Sequence, residues 1–533
     1  MKINIKLIVT FVTLLCFFNL KAQTAQLPKE LEGTPKLSYQ QMLEDHDTLV
    51  SNIKQTSPII YFNKEVRGIN FNQHATSLRK QIKAKTSTQQ FLQIVNKTLN
   101  AAQDGHTGTL NDGLLDHMKK YGIPLGAVKG IDSTDAKNSY TYNNYFKNEV
   151  NTKLDLNLIY TNGAYYNLLP FSYKEKNYPT SMKLISCNGI EIHQFVNSLT
   201  ELASPLRWDR TNNRTYKEDF YRHSEIYKNN VLKLVFQDKG FKNHKITIIK
   251  NDTVTFLQER NWKYGYNQAE DSLTTHFFEK QGIFYAKLPR MDVPLGDSIN
   301  QRLGTIINKH KVKAVVIDIR GNGGGFDETY NKALKSIIKD TLRANLVLGI
   351  NWSPYTRKYF EYNRDSIQKE PIFSFKVNIP TLKEPEMFYI KMASDLVVPD
   401  SIKYPFEGKI YILQDRYIYS ASSNLSALAK NSEQLISIGA TPDLMGGIQR
   451  SPFVMMLPNS KVIFRVEPQI DFTDNKILED TFKNNVEFPV QYSIDNLYLR
   501  TTTKENVFGK EFLLNYDPMF KKVLELENSE IIK

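Results

Sequence analysis

Apolar residues follow two rhythms along this chain. Between about residues 35 and 105 they recur every three or four positions, which predicts helices with one buried face. The clearest of these starts at Ser87, which with Gln90 makes a capping-box pattern. Leu92, Val95, Leu99 and Ala102 then share a face, and Gly105 is expected to end the helix as a left-handed residue. From about 125 to 265 the rhythm shortens to that of strands. Residues 231–236 and 245–250 flank a Gly/Asn turn region, and 182–192 reads as strand, Asn-Gly turn, strand, followed by a helix-like 195–202. From about 275 strands and helices alternate. Strands are expected at 282–288, 314–317, 409–413, 435–439, 453–457 and 461–466, and helices at 298–310, 327–340 and 421–431. Alternation of this kind predicts an α/β core with largely parallel pairing. A last helix is expected from residue 518 to the end, with no chemistry evident in it.

Composition narrows the class. Lys2 and Lys6, an apolar stretch from Leu7 to Phe18 and the small Ala22 read as a cleaved secretory signal over residues 1–22. The stretch is shorter than the roughly 20 residues that span a bilayer. Leu15 before Cys16 is a poor lipoprotein signal, so cleavage rather than anchoring is expected. The mature protein is then expected to be secreted or periplasmic, with no membrane span. Cys187 alone remains, which leaves no intrachain disulfide. Removing Lys2, Lys6 and Lys21 lowers the formal charge from +13 to +10, but the basic residues are scattered among acids. A solvated surface fits that scatter better than a nucleic-acid footprint. No His-Glu-x-x-His and no paired Cys/His spacing is present, so neither a metal nor a cofactor is expected.

The glycine run is the first candidate for chemistry. Ala314 to Ile317 is a short apolar strand; Asp318, Ile319 and Arg320 follow, then four glycines in the five positions 321–325. Bare backbone after a buried strand brings N–H groups close to a neighbour. No Lys-Ser/Thr follows, which argues against a phosphate cradle, and Phe326 stands where a dinucleotide fingerprint needs its third glycine. An oxyanion hole remains, beside the plainer reading of a tight strand-to-helix turn. An oxyanion hole needs a nucleophile at another sharp turn, and Tyr419-Ser420-Ala421-Ser422-Ser423 opens a predicted helix. Serines are also ordinary helix caps, so the segment by itself leaves both readings open.

Together these segments resemble peptidase family S41, the tail-specific or C-terminal-processing proteases. Asp318-Ile319-Arg320-Gly321-Asn322-Gly323-Gly324-Gly325 is similar to their Asp-Leu-Arg-Gly-Asn-Pro-Gly-Gly signature. Ser420-Ala421-Ser422-Ser423 resembles their Ser-Ala-Ser-Glu turn, with Ser423 replacing the glutamate. Residues 182–192 resemble part of a PDZ-like domain, and Asp104-Gly105-His106-Thr107 resembles the Asp-Gly-His of the tricorn-like branch. The resemblance implies a signal peptide (1–22), an N-terminal helical region (30–125), a PDZ-like β-rich domain (126–265), an α/β catalytic core of crotonase/ClpP-like mixed sheet and helices (270–500) and a C-terminal tail (501–533), with the cleft between them.

One departure redirects the search for a base. The general-base lysine of the processing proteases falls on Met445, whose thioether takes no proton from serine, although Gln449 matches the accompanying glutamine. Lys430 is ten helical residues from Ser420, roughly 15 Å along the axis. The resemblance therefore implies His106 as base, a role suited to an imidazole near its ordinary pKa. A histidine base needs a carboxylate to fix its tautomer. Lys483 and Asn484 stand near the position where the tricorn-like branch has a glutamate, which leaves Glu479 and Asp480 as candidates. Gly324 and Ala421 are the expected oxyanion donors, with Gly323 as the neighbour, and Asp318 and Arg320 are expected to pair and hold the glycine loop. The reading is an exported serine endopeptidase acting on a peptide or unfolded protein. A peptide-binding protein that has lost its chemistry and a hydrolase of a non-peptide ester or amide are the alternatives.

Overall fold

The computed structural model describes residues 36–110, 142, 152–261, 273–356, 382–444, 453–473, 475–482 and 486–530. The expected signal at 1–22, Met445, Gln449, Lys483 and Asn484 lie outside the described residues.

Four helices open the chain, Tyr39–Thr56, Ile59–Arg67, Phe71–Arg79 and Thr88–Asn100. Ser87 accepts from the Gln90 N–H and Gln90 answers the Ser87 N–H, so the expected capping box is made. The helix stops earlier than its pattern suggested, at Asn100 with Ala101 as cap, and Gly105 serves another purpose. The apolar faces of these helices do not close on themselves. Leu92, Val95 and Leu99 share a core with Phe453, Met455, Phe464 and Val466, which stand on two strands far down the chain.

Residues 158–249 form an antiparallel sheet in the order Asn243–Ile249, Val231–Gln237, Lys183–Cys187, Ala164–Asn167, Leu158–Thr161. The expected hairpin is present, with Cys187 facing Ile190 and Asn188 and Gly189 both at positive φ in the turn. The helix after it is Ile192–Asn197, displaced toward the turn because the Glu191 side chain caps it.

The α/β core is a six-stranded sheet in the order Thr274–Phe278, Ile283–Lys287, Ala314–Asp318, Lys409–Gln414, Leu435–Gly439, Phe488–Pro489. Only the first pair is antiparallel. Strands buried on both faces read as continuous apolar runs, as at Ala314 to Ile317. Alternate side chains serve opposite layers. Val315, Ile317, Ile410 and Ile412 meet Leu303, Leu334 and Leu425 of the helices Val293–Ile307, Glu328–Leu334 and Ala421–Ala429. Ala314, Val316, Tyr411 and Leu413 meet Met519, Phe520 and Val523 of the terminal helix Pro518–Glu530. The long hairpin Leu342–Asn351 and Met387–Val397, which its pattern did not announce, pairs with Gln469–Asp471 in a separate sheet. No helix of the described residues is long and apolar enough to cross a membrane.

Candidate active site

The glycine run and the serine turn leave the carboxyl ends of two adjacent parallel strands, Ala314–Asp318 and Lys409–Gln414. Ligand crevices form at such ends in parallel sheets. Ser420 caps the helix Ala421–Ala429 with φ 55° and ψ −126°, a conformation that is costly for a residue bearing a Cβ. A serine on a strained strand-to-helix turn has its hydroxyl pushed forward and the next N–H turned toward it. The three serines of this turn separate in space. Ser422 and Ser423 are fully buried with no partner for either hydroxyl among the described residues, and only Ser420 is partly open.

The glycine loop is pinned against this turn by its neighbours. Asn322 Oδ1 accepts the Gly324 N–H at 2.9 Å, Asn322 Nδ2 donates to the Leu288 carbonyl, and the Asn322 carbonyl accepts the Tyr419 N–H. Gly324 has φ +103°, and a Cβ there would stand 2.7 Å from the Ser420 Cβ. Only glycine fits. The expected donor Gly324 is thereby already engaged. The N–H groups of Gly323 and Ala421 carry no hydrogen bond among the described residues, and Gly323 faces open space.

Beneath the loop lies a buried ionic cluster. Arg320 pairs with Asp318, as expected, and also with Asp517, just ahead of the terminal helix, and with the Tyr492 hydroxyl. The tail therefore contributes to the loop's foundation, which its sequence did not show. Burial disfavours the Asp318 charge, but Arg320, Lys287 and the Tyr285 hydroxyl outweigh it and hold the carboxyl at about 2. Lys287 donates to the Arg320 carbonyl at 2.5 Å, and burial brings its ammonium down to about 8. Asp415 accepts the N–H groups of Gly321 and Tyr417, both at 3.0 Å, so one carboxylate ties the glycine loop to the serine turn.

His106 arrives from the opposite side. It precedes the two-residue strand Gly108–Thr109, which pairs antiparallel with Ile463–Val466. Gly108 faces Arg465, so two steps outward on each strand set His106 opposite Glu467. The pair is realised: Nδ1 lies 3.0 Å from Glu467 Oε2, with both side chains buried. Asp104 Oδ2 accepts from the Thr107 hydroxyl, which accepts the Glu467 N–H, and this fixes the motif to the strand end. Burial is the largest effect on Glu467 and lifts its carboxyl above the ordinary value, against the pull of His106. Tyr419 joins the halves. Its hydroxyl lies 3.2 Å from His106 Nδ1, and the two rings are 4.9 Å apart. A Cβ on Gly105 would come within 2.7 Å of that hydroxyl, which is why the motif has a glycine there.

The carboxylate that lies beside His106 is Glu467 rather than Glu479 or Asp480. Asp480 lies in the short 3-10 helix Leu478–Phe482, accepts the N–H groups of Lys476 and Ile477 and pairs with Arg210. Those partners outweigh burial and hold its carboxyl low. Neither it nor Glu479 contacts His106. The only sequence hint of Glu467 is a lone acid at the end of a predicted apolar strand. No group of His, Cys, Asp and Glu among the described residues has the arrangement of a metal site.

Together a strained serine, unpaired N–H groups and a buried His–carboxylate pair make up the equipment of an acyl-transfer hydrolase. The comparisons agree. Residues 282–476 match the model of Peptidase family S41. Mature CPAF complexed with lactacystin has a similar fold at 10% identity and a TM-score of 0.53, over 92% of this chain and 99% of that one. Mature CPAF gives 10% identity and a TM-score of 0.51, over 92% and 98%. None of the curated proteins compared with the chain matches it. Residues 282–476 are thus similar to peptidase family S41, a family of serine-type peptidases that act on peptides or proteins.

Proposed function

We propose that the chain is an exported serine endopeptidase in which Ser420 is the nucleophile, His106 the general base and Glu467 the residue that orients it. The strained Ser420 turn, set against an unpaired-amide loop and joined through Tyr419 to His106, carries this reading. Ser420 Oγ attacks the peptide carbonyl carbon while His106 Nε2 takes its proton. The Gly323 and Ala421 amides hold the oxyanion that forms. His106 then returns the proton to the leaving amine, and water enters by the same route to free the acyl group from Ser420. Glu467 accepts from Nδ1–H and stabilises the imidazolium. Export rests on the signal-like residues 1–22 and gives a secreted or periplasmic protein, and the β-rich unit at 158–249 is read as PDZ-like.

The test is cleavage of an unfolded protein by the wild type and by Ser420→Ala and His106→Ala. Each variant should lose turnover on the order of 10⁶-fold, and Ser420→Ala should no longer react with a serine-directed phosphonate. Cleavage by either variant at the wild-type rate would refute the mechanism. Hydrolysis of small acyl esters without action on peptides would redirect it to a non-peptide substrate.

A further inference from the structure

The loop that carries the proposed Gly323 donor ends on an exposed aromatic ring. Phe326 directly follows Gly325 and is 69% exposed. A single apolar side chain on a surface needs no explanation. This one, however, stands on backbone fixed from two directions. On one side its N–H donates to the Met291 carbonyl at 2.9 Å, and the Met291 N–H donates to the Gly324 carbonyl at 3.0 Å. On the other, Asp327 Oδ1 accepts from Asn424 Nδ2 at 3.1 Å, and the Asn424 N–H donates to the Ser420 carbonyl. Phe326 is therefore held between the glycine loop and the first turn of the serine helix. A Cβ on Gly324 would stand 2.7 Å from the Ser420 Cβ, and two residues span at most about 7 Å. The Phe326 Cα accordingly lies within about 11 Å of the Ser420 Cβ, roughly three residues of an extended peptide.

We infer that Phe326 is a specificity-determining residue, whose ring takes a large apolar side chain of the substrate close to the scissile bond. The inference rests on the reading of Ser420 as the nucleophile and names the substrate class of that same site: unfolded segments that carry Leu, Ile, Met or an aromatic residue. A peptide whose carbonyl meets the Gly323 amide has its flanking residues within reach of a ring three positions along the same loop. Covering that ring removes apolar area from water on both partners, which favours such a side chain over glycine or a polar one. Asp327, the next residue, is already engaged by Asn424, which leaves the ring as the group this end of the loop presents. The two pins matter as much as the exposure. A ring on a fixed backbone gives up little freedom when a substrate covers it, so more of the burial appears as affinity.

The experiment uses two fluorescent peptides, one of alternating Leu and Ser and its counterpart with Gly in place of Leu. The quantity read is the ratio of their kcat/KM values, which cancels any difference in the amount of folded enzyme. The wild type should prefer the Leu peptide. Phe326→Ser should lower that ratio about tenfold, chiefly through KM, and Phe326→Leu should keep it. No preference in the wild type, or the same ratio in Phe326→Ser, would overturn the inference. Binding of the Leu peptide to Ser420→Ala, followed by fluorescence polarisation, should weaken about tenfold when Phe326→Ser is added, and equal binding would also overturn it. If neither peptide is cleaved and Ser420 does not react with the phosphonate, the reading of Ser420 fails on its own, and the binding measurement still decides what Phe326 does.

Discussion

The serine half of the site stands on neighbouring strands of one parallel sheet, each buried on both faces and followed by its own helix. The histidine half stands at the end of a ladder of two residue pairs, Gly108 with Arg465 and Thr109 with Phe464, and the Glu467 N–H donates to the Thr107 hydroxyl 360 positions away, beside a core made by the N-terminal helices. A closed cluster of Arg320, Asp318, Asp517 and Lys287 supports the first half. Only a few directional bonds support the second, and one of its partners, Tyr419, is borrowed from the first. The proposed nucleophile and oxyanion loop thus stand on the more heavily packed half, and the proposed base and its carboxylate on the half with fewer supports. A catalytic geometry is held best where packing and hydrogen bonds already fix each side chain.

The sharpest way to break this comparison is at Glu467. Glu467→Gln should lower kcat roughly 10⁴-fold with the fold intact, while Glu479→Gln and Asp480→Asn leave it near wild type. Equal losses in all three, read by peptide-cleavage kinetics, would mean that the ladder does not choose the carboxylate. Arg320→Met comes next. It takes the ion-pair partner from buried Asp318 and one of the two from Asp517, which keeps Arg500, and urea unfolding should show a loss of about 3–5 kcal/mol. A smaller loss than that from removing an exposed pair such as Arg79–Asp47 would contradict the rigid foundation. Gly324→Ala forces a Cβ against Ser420 and should cost roughly 10² in turnover, with little change in peptide binding. Wild-type turnover there would show that the loop yields.

The smallest effect is in pH, and the two halves should respond with opposite sign. Asp318 is held at about 2, below its unfolded value of 3.8. Its contribution is present above 3.8 and is lost as pH falls through about 2, on the order of 2 kcal/mol. Glu467 is raised above its unfolded 4.5, so its contribution is present below 4.5 and is lost as pH rises through its higher folded value. Unfolding measured across acid pH should lose the first slope in Asp318→Asn and the second in Glu467→Gln. A slope that survives in its own variant belongs to another group.

Legibility followed the distance over which each feature is specified. The capping box at Ser87, the Asn-Gly hairpin and the alternation of the core announced themselves, because turn chemistry and periodicity act within a few residues. The hairpin Leu342–Asn351 with Met387–Val397 did not, since its pairing is set across a long connection. Gly105 was read as a helix stop and proved to be the floor under the Tyr419 phenol, a demand made from 314 residues further along. Gly324 illustrates a subtler case. The glycine itself was legible as backbone brought close to something, but Asn322 takes its N–H and leaves Gly323 free, a choice made by the local path of the loop.

What the sequence determined by itself is the pair of signatures, Asp318 to Gly325 and the Ser420 turn, and with them the chemistry of a serine peptidase. These depend on residue types whose conformational preferences are local. What only the tertiary structure decided is which groups surround His106. A carboxylate at the end of a predicted strand looks like any other until antiparallel register sets it opposite a particular residue. Here that register brings Glu467 to one side of Nδ1, while chain packing brings the Tyr419 hydroxyl to the other.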